Sequence, residues 1–389
     1  MTTVDFVGAV LELEVGAVAH GGHCVARHDG QVVFVRHALP GEVVRARVTE
    51  QTAKFLRADA VEILQPSPYR VDPPCPYTGP GRCGGCDFQH VDIAEQRRLK
   101  ATVVRDTLRR IGGIERDVVV ESPGDDGLGW RTRMRYAVVD GRPGMYAHRS
   151  HDLIQIDRCR IAHPETPRVL DQHWPDTAAV QAVVSSEGKT AILTDQDPSG
   201  RLVEVVHQRR FRVEAGGFWQ VHPAAATTLV DAVLTGLEPQ PGESALDLYS
   251  GVGLFAAFLA EAGCVVLAVE GDRDAIRNAR RNLHDLPKVT IEQGKVERVL
   301  TSAAREGLES VDLVVLDPPR TGAGQQVVHR VAGLSPRRIG YVACDPAALA
   351  RDLKIFAGLG YGIRSLRAFD LFGMTHHIEC VAVLEPQEK

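Results

Sequence analysis

The chain has 389 residues, more than one ordinary domain needs, so two or three folded units are expected. Apolar residues make up 44% and charged residues 24%, which excludes an intrinsically disordered chain. A net charge of −5 excludes a basic nucleic-acid coat, so any nucleic acid must be met by a local patch.

The N-terminal MTTVDFVGAVLELEVG has no basic stretch leading into an apolar one, so no secretory signal is read. No apolar run approaches the roughly 18 residues of a membrane span, and a cytoplasmic protein is expected. Residues 4–62 alternate apolar and polar in VGAVLELEVG, QVVFVRHALPG, EVVRARVTE and RADAVEIL, separated by glycine and Pro-Gly turns. That pattern predicts a small five-stranded β-barrel. His20, His23 and Cys24, in HGGHC, lack a fourth metal ligand nearby and read as a turn of that barrel. Pro66–Pro74 is a linker.

Cys75, Cys83 and Cys86 then crowd together, while Cys24, Cys159, Cys264, Cys344 and Cys380 are scattered. Such a cluster in a reducing compartment reads as a metal or cluster site rather than disulfides. AEQRRLKATVVRDTLRRIG follows with apolar residues at helical spacing, an amphipathic helix. Strand-like runs return across 126–215. Residues 131–160 hold seven arginines against three aspartates, a local excess that suits a phosphate-tracking face, although arginines alternating on a strand are often only a solvated face. Residues 1–62 carry six basic and eight acidic groups, which gives the barrel no electrostatic case for nucleic acid; stacking and shape could still bind RNA there.

From Gly216 the rhythm becomes strand, turn, helix. Strands are expected at SALDLYS, CVVLAVE, VTIEQG, VDLVVLDPP and RIGYVACDP, closed by the pair GIRSLRAFDLF and HIECVAVLEP. Alternation of this kind means a mainly parallel, doubly wound sheet, with ligands at the carboxyl ends of its strands. Asp247–Phe255 (DLYSGVGLF) is a strand entering a glycine turn and a helix. Glu270 ends the next strand, about 20 residues on, placed to accept ribose hydroxyls. A dinucleotide fingerprint would have a third glycine where Ala256 stands. With Asp247 just before the loop, a cationic sulfonium ligand, S-adenosylmethionine, fits better than NAD. A lone G-x-G turn is often merely structural, so the two later strand ends matter. Asp317-Pro318-Pro319-Arg320 delivers a carboxylate to the same edge, with Arg320 where base-amine methyltransferases often carry an aromatic. Cys344 sits where the fifth strand leaves the core, a candidate nucleophile, whereas Cys264 and Cys380 lie inside apolar runs.

In order along nearly the whole chain, the N-terminal barrel, the four cysteines, F-x-Q-V at Phe218–Val221, DLYSGVG, DPPRTG at Asp317–Gly322, YVACDPAALARD at Tyr341–Asp352 and FDLFGMTHHIE at Phe369–Glu379 resemble the TRAM-domain-containing 5-methyluridine RNA methyltransferases. The resemblance implies a multidomain α/β chain. A TRAM β-barrel, OB-like and RNA-binding, would occupy 1–65, and a mixed α+β, iron–sulfur and RNA-binding unit 72–90 and 126–215. A Rossmann-like S-adenosylmethionine-dependent methyltransferase domain would occupy 91–125 and 216–389. It further implies methylation of uracil carbon 5 in rRNA or tRNA, with Cys344 as nucleophile and Glu379 as base, and cofactor contacts from Gln220, Tyr249, Glu270 and Asp317. Cys75, Cys83, Cys86 and Cys159 would hold a 4Fe–4S cluster, with zinc the lesser alternative. RNA is the expected partner, no membrane is, and a monomer suffices. Rival readings are a cytosine-5 methyltransferase, which usually needs a cysteine in the Pro-Pro motif, and a non-catalytic ribosome-assembly factor, against which intact Cys344 and Glu379 count.

This chain departs from the family at four places. Asp345 replaces the usual Asn after the nucleophile, Gly373 a common Pro, Leu254 a cofactor-contacting Asn, and His222 an Asn. An Asp beside Cys344 would raise the thiol pKa unless it points away.

Overall fold

The computed structural model describes residues 5–124 and 126–387, so the outermost residues of the first and last expected units, and position 125, lie outside the description. The N-terminal strands are β1 (Val10–Glu14), β2 (Val18–Ala19), β3 (His23–His28), β4 (Gln31–Arg36), β5 (Val43–Gln51) and β6 (Phe55–Gln65). They pair in the order β1-β5-β6-β4-β3-β2. Six strands stand where five were expected. HCVARH, read as part of a turn, is the strand β3, whose buried His23 and Cys24 hide its alternation. Gly16 and Ala17, just past β1, bond Val25 of β3 and curl the sheet back on itself. Val33, Val35, Val44, Ala46 and Leu56 fill the inside.

Helix α1 (Ile93–Thr107) is capped by Asp92, which accepts from Ala94 and Glu95 N–H groups. It widens into one π-helical turn, Leu108–Gly112, that ends at Gly113 in the left-handed region. β7 (Val120–Glu121) follows. The middle of the chain builds β8 (Arg133–Val139), β9 (Arg142–Tyr146), β10 (Leu153–Ile154), β11 (Ala179–Val184) and β12 (Thr190–Thr194), an antiparallel sheet ordered β10-β9-β8-β11-β12. A separate hairpin, β13 (Arg201–Val206) and β14 (Arg209–Glu214), leans on the last third of the chain. There Arg209 reaches Glu261 and Asp285.

That last third alternates α2 (Ala225–Leu237), β15 (Ser244–Leu248), α3 (Leu254–Glu261), β16 (Val265–Glu270), α4 (Arg273–Asn282), β17 (Val289–Gln293), α5 (Val296–Arg305), β18 (Leu313–Leu316), α6 (Gly324–Gly333), β19 (Arg338–Ala343), α7 (Pro346–Gly358), β20 (Tyr361–Phe369) and β21 (Glu379–Pro386). All seven expected strands form, in the order β17-β16-β15-β18-β19-β21-β20, with β7 added at the edge. β15 to β19 run parallel, and β21 is antiparallel to both neighbours. Helices cover both faces, so the central strands read as unbroken apolar runs. LVVL of β18 is buried throughout. Leu246, Val314, Ile339 and Tyr341 pack on α5, α6 and α7, while Ala245, Val315 and Val342 pack on α2 and α3.

Between β20 and β21 the chain leaves the sheet. Met374 O accepts from Asp87 and Phe88 N–H of the cysteine loop, and the Trp130 indole donates to Gly127 and Gly373 carbonyls. Buried Lys100 of α1 meets Asp370 at 2.5 Å. A Cβ at Gly373 would lie 2.4 Å from Gly127 Cα, so a proline has no room here. Gly373→Ala should therefore cost about 1–3 kcal/mol and lower Tm in calorimetry. Gly358→Ala, which meets nothing within 4 Å, should not.

Candidate active site

β15 runs straight into the glycine turn. Gly251 (φ +56°) and Gly253 (φ +91°) adopt left-handed backbone, and a Cβ on Gly253 would lie 2.6 Å from Leu283. Tyr249 takes φ +66° despite its side chain, a strain of the kind that collects at ligand sites. Glu270 holds the turn from the next strand. Its Oε2 accepts from Gly251 N–H at 2.8 Å, and its Oε1 from Gly271 and Asp272 N–H. Oε2 keeps a further lone pair for a ligand.

At the carboxyl edge of the sheet these residues open onto a cavity of about 2070 Å³. Gln220, Tyr249, Glu270, Asp317, Cys344 and Glu379 all line it; six positions spread over 160 residues of chain, residues 220–379, meet at one hollow. The interior is acidic. Asp247, fully buried below the turn, accepts from Ala256 N–H at 2.8 Å. Burial, then the neighbouring Asp317 and Glu270 charges, push its pKa up to about 7 against that bond. Asp317, enclosed by protein but open to the cavity, is pushed up to about 7 by burial. Glu379, 4% exposed, is raised well above the usual carboxyl range by burial and by Asp317, with Arg320 opposing. Ser250 Oγ and Asp247 Oδ1 are buried with no hydrogen-bond partner among the described residues. A crowded set of desolvated carboxyls with unmatched polar atoms fits a cationic adenosyl ligand better than a pyrophosphate.

Cys344 and Glu379 are brought together by strand register. β19 pairs antiparallel with β21, Ala343 opposite Cys380, so the next position sets Cys344 against Glu379. Burial pushes the Cys344 thiol up to about 11, Glu379 adds to that, Arg320 opposes it, and Asp317 adds again. Arg320, read from sequence only as a missing aromatic, is thus a cation acting on both groups. His377, also on the cavity wall, is held down to about 3 by burial and nearby positive charges, His376 first. The sequence signal for both was proximity to the motifs, Arg320 closing DPPR and His377 two residues before Glu379. Leu254 is buried in the core, and His222 stacks on Trp130 with centroids 6.0 Å apart.

All eight cysteines are free. The Cys75 and Cys159 sulfurs lie near enough to Cys83 and Cys86 to help burial raise their thiols. N–H groups of Gly85 and of Ile161 and Ala162 face the Cys83 and Cys159 sulfurs, and Gln89 donates to Cys86 Sγ at 3.3 Å. As a donor set, four clustered thiols with N–H support suit an iron–sulfur cluster. Yet among the described residues no three His, Cys, Asp or Glu side chains are gathered closely enough to hold a metal ion, so the expected site is not preformed. The arginine-rich stretch is also less free than it reads. Arg133 is buried against Glu204 and Arg149 pairs with Glu50 of β5, while Arg131 and Arg135 do face the cavity.

Fold and cavity define a Rossmann-like methyltransferase carrying an N-terminal barrel. The family model described as TRAM domain matches residues 5–61, and that described as tRNA (Uracil-5-)-methyltransferase matches residues 168–387. An uncharacterized RNA methyltransferase of Streptomyces coelicolor is 49% identical over 99% of this chain and 95% of its own. One of Bifidobacterium longum is 37% identical over 96% of each. In structure the chain is similar to the Pyrococcus abyssi tRNA (uracil-54, C5)-methyltransferase solved with S-adenosyl-L-homocysteine, with TM-score 0.72, 24% identity, and 95% of this chain and 99% of that one covered. The chain belongs to the tRNA (uracil-5-)-methyltransferase family of S-adenosylmethionine-dependent RNA-modifying enzymes. No helix among the described residues is long and apolar enough to cross a membrane.

The raised Asp317 carboxyl fixes a pH dependence. A sulfonium cation prefers ionised carboxylates, whose fraction grows as pH rises through about 7. S-adenosylmethionine affinity, measured by titration calorimetry, should rise from pH 6 to 8 and then level. S-adenosylhomocysteine, which lacks that charge, should show a shallower slope, and Asp317→Asn should flatten it.

Proposed function

We propose that this enzyme transfers the methyl group of S-adenosylmethionine to carbon 5 of a uracil in rRNA or tRNA, through covalent catalysis by Cys344 with Glu379 as general base. The observation that carries the reading is the antiparallel register of β19 and β21, which sets a thiol and an enclosed carboxyl against each other on one cavity wall. Uracil carbon 5 is a poor nucleophile. Addition of the Cys344 sulfur to carbon 6 makes the ring an enolate, and carbon 5 then takes the methyl group. Glu379 accepts the carbon-5 proton, the ring double bond re-forms, and Cys344 leaves as thiolate. S-adenosylmethionine supplies the electrophilic methyl, and Gln220, Tyr249, Glu270 and Asp317 are the residues that would hold it.

Arg320 serves both catalytic groups, favouring thiolate on Cys344 and carboxylate on Glu379. Enclosure keeps Glu379 a stronger base than an exposed carboxylate. The target base must leave its stack to reach Cys344. DPPR holds no second cysteine, which favours uracil over cytosine as the base. Cys75, Cys83, Cys86 and Cys159 would carry a 4Fe–4S cluster beside the buried Trp130, Ile161 and Met374, against which Cys86 and Cys159 pack. Its contribution would be to fix that loop, because methyl transfer moves no net electrons. Anaerobically purified protein should then contain about four irons per chain, lost in Cys159→Ser; zinc in their place would assign a mononuclear site.

With RNA from a strain lacking the gene, wild-type enzyme should form 5-methyluridine, detected by nucleoside mass spectrometry, and not 5-methylcytidine. Cys344→Ala should reduce transfer by about a thousandfold or more. Glu379→Gln should instead stall after methylation and accumulate a protein–RNA complex that survives denaturing gels. An active Cys344→Ala enzyme would refute the mechanism.

A further inference from the structure

Asp345 follows the nucleophile directly and begins α7. Its Oδ1 accepts from Ala348 N–H at 2.8 Å, a helix cap. Its Oδ2 meets His20 Nε2 at 3.2 Å. His20 belongs to the turn between β2 and β3 of the N-terminal barrel, so the residue beside the catalytic thiol is gripped by the opposite end of the chain. The His20 ring also stands edge-on to His376 of the closing segment, centroids 6.5 Å apart. His376 pairs with Asp87 of the cysteine loop, and Asp87 with Arg36 of β4 at 3.6 Å. A relay of contacts therefore links the residue after Cys344 to the barrel turn, the closing segment, the cysteine loop and β4.

The chemistry gives the contact a purpose. A carboxylate one residue from a thiol opposes thiolate formation. Glu379 and Asp317 already oppose it, with Arg320 in favour, and buried Cys380 lies close by. A further negative charge aimed at the sulfur would deepen the handicap. Asp345 is instead turned toward the barrel and met there by a group able to carry positive charge. The family's usual Asn needs no such partner; this chain's Asp does.

We propose that His20 is a positioning residue for the nucleophile: it holds the Asp345 carboxylate away from Cys344 and balances its charge. The proposal rests on the reading of Cys344 as nucleophile. The hydrogen bond that His20 donates to Asp345 raises the His20 pKa above 6.5, against burial and with Asp345's charge. Burial would raise Asp345, but the His20 bond and the α7 amides hold it below 3.8. The ion pair is thus complete between those two ordinary values. It is lost as pH rises through the raised His20 pKa or falls through the lowered Asp345 one. His20 is faced by Asp345 and His376, and it shares a groove with Glu14 of β1, Asp106 of α1 and Arg110 of the π-helical turn.

The test compares full-length wild type, His20→Gln, Asp345→Asn and the double variant, since glutamine keeps a donor while removing the charge. The primary readout is the rate of Cys344 alkylation by iodoacetamide at about pH 6.5, where the ion pair is complete, followed on its peptide by mass spectrometry. At that pH the rate tracks the thiolate fraction. His20→Gln should slow it about two- to threefold, and adding Asp345→Asn should restore it. The kcat for methyl transfer should follow the same pattern, with KM for S-adenosylmethionine unchanged. An unchanged alkylation rate in His20→Gln, or a double variant as slow as His20→Gln, would overturn the proposal. Cys344→Ser separately tests the nucleophile: if it keeps activity, that reading fails, while the alkylation series still reports on His20.

Discussion

Carboxyl groups packed around one large hollow are the constraint on which the rest of this molecule turns. Asp247 is wholly enclosed, and raising its pKa from 3.8 to about 7 destabilises the ligand-free fold at neutral pH by something on the order of 4 kcal/mol. Asp317 and Glu379 add to the load. A fold accepts such groups when they do work that only enclosed acids can do, and the charge they concentrate suits a cationic ligand. The glycine turn follows from the same demand, since Gly251 and Ala256 amides are aimed at the acids. Arg320 follows too, as the counter-charge at the rim.

The second arrangement is the insertion of an antiparallel strand into an otherwise parallel sheet. Parallel strands end at the same edge and offer only strand-end residues to a ligand. β21 enters that edge from the other direction, so its first residue, Glu379, stands beside Cys344 at the end of β19. The segment leading into β21 has no sheet of its own to hold it. Its anchors are Lys100 on Asp370, the cysteine-loop amides on Met374 O, and the Gly127–Gly373 contact. Barrel, cysteine loop and catalytic sheet therefore act on one another through the residues that frame the thiol.

Much of this was legible in the sequence. Strand–helix alternation after Gly216 specified the doubly wound sheet because strands buried on both faces must be apolar throughout, as in VDLVVL. DLYSGVG, DPPR and ACDP lay at strand ends, and strand ends share an edge, so Tyr249, Asp317 and Cys344 could be gathered with Glu270 before any coordinates; Gln220 and Glu379 were legible only through the family resemblance. β3 was hidden because HGGHC looks like a turn, and the two buried residues there mask a period-two signal. Arg133 looked like part of a phosphate-binding face, but its partner Glu204 is far along the chain, and no local pattern announces a buried long-range pair. The same holds for His20 and Asp345, whose meeting depends on how the barrel docks.

The most direct test of the central claim, that a thiol in this acid-lined hollow adds to a pyrimidine ring, is to trap it. Substrate RNA carrying 5-fluorouridine has no removable proton at carbon 5, so the reaction should stop with ring, methyl group and protein joined. Mass spectrometry of the digested complex should find the methylated fluorouridine on the Cys344 peptide, and only when S-adenosylmethionine is supplied. An attachment at any other cysteine, or turnover of natural RNA with no adduct from the fluorinated one, would contradict the account.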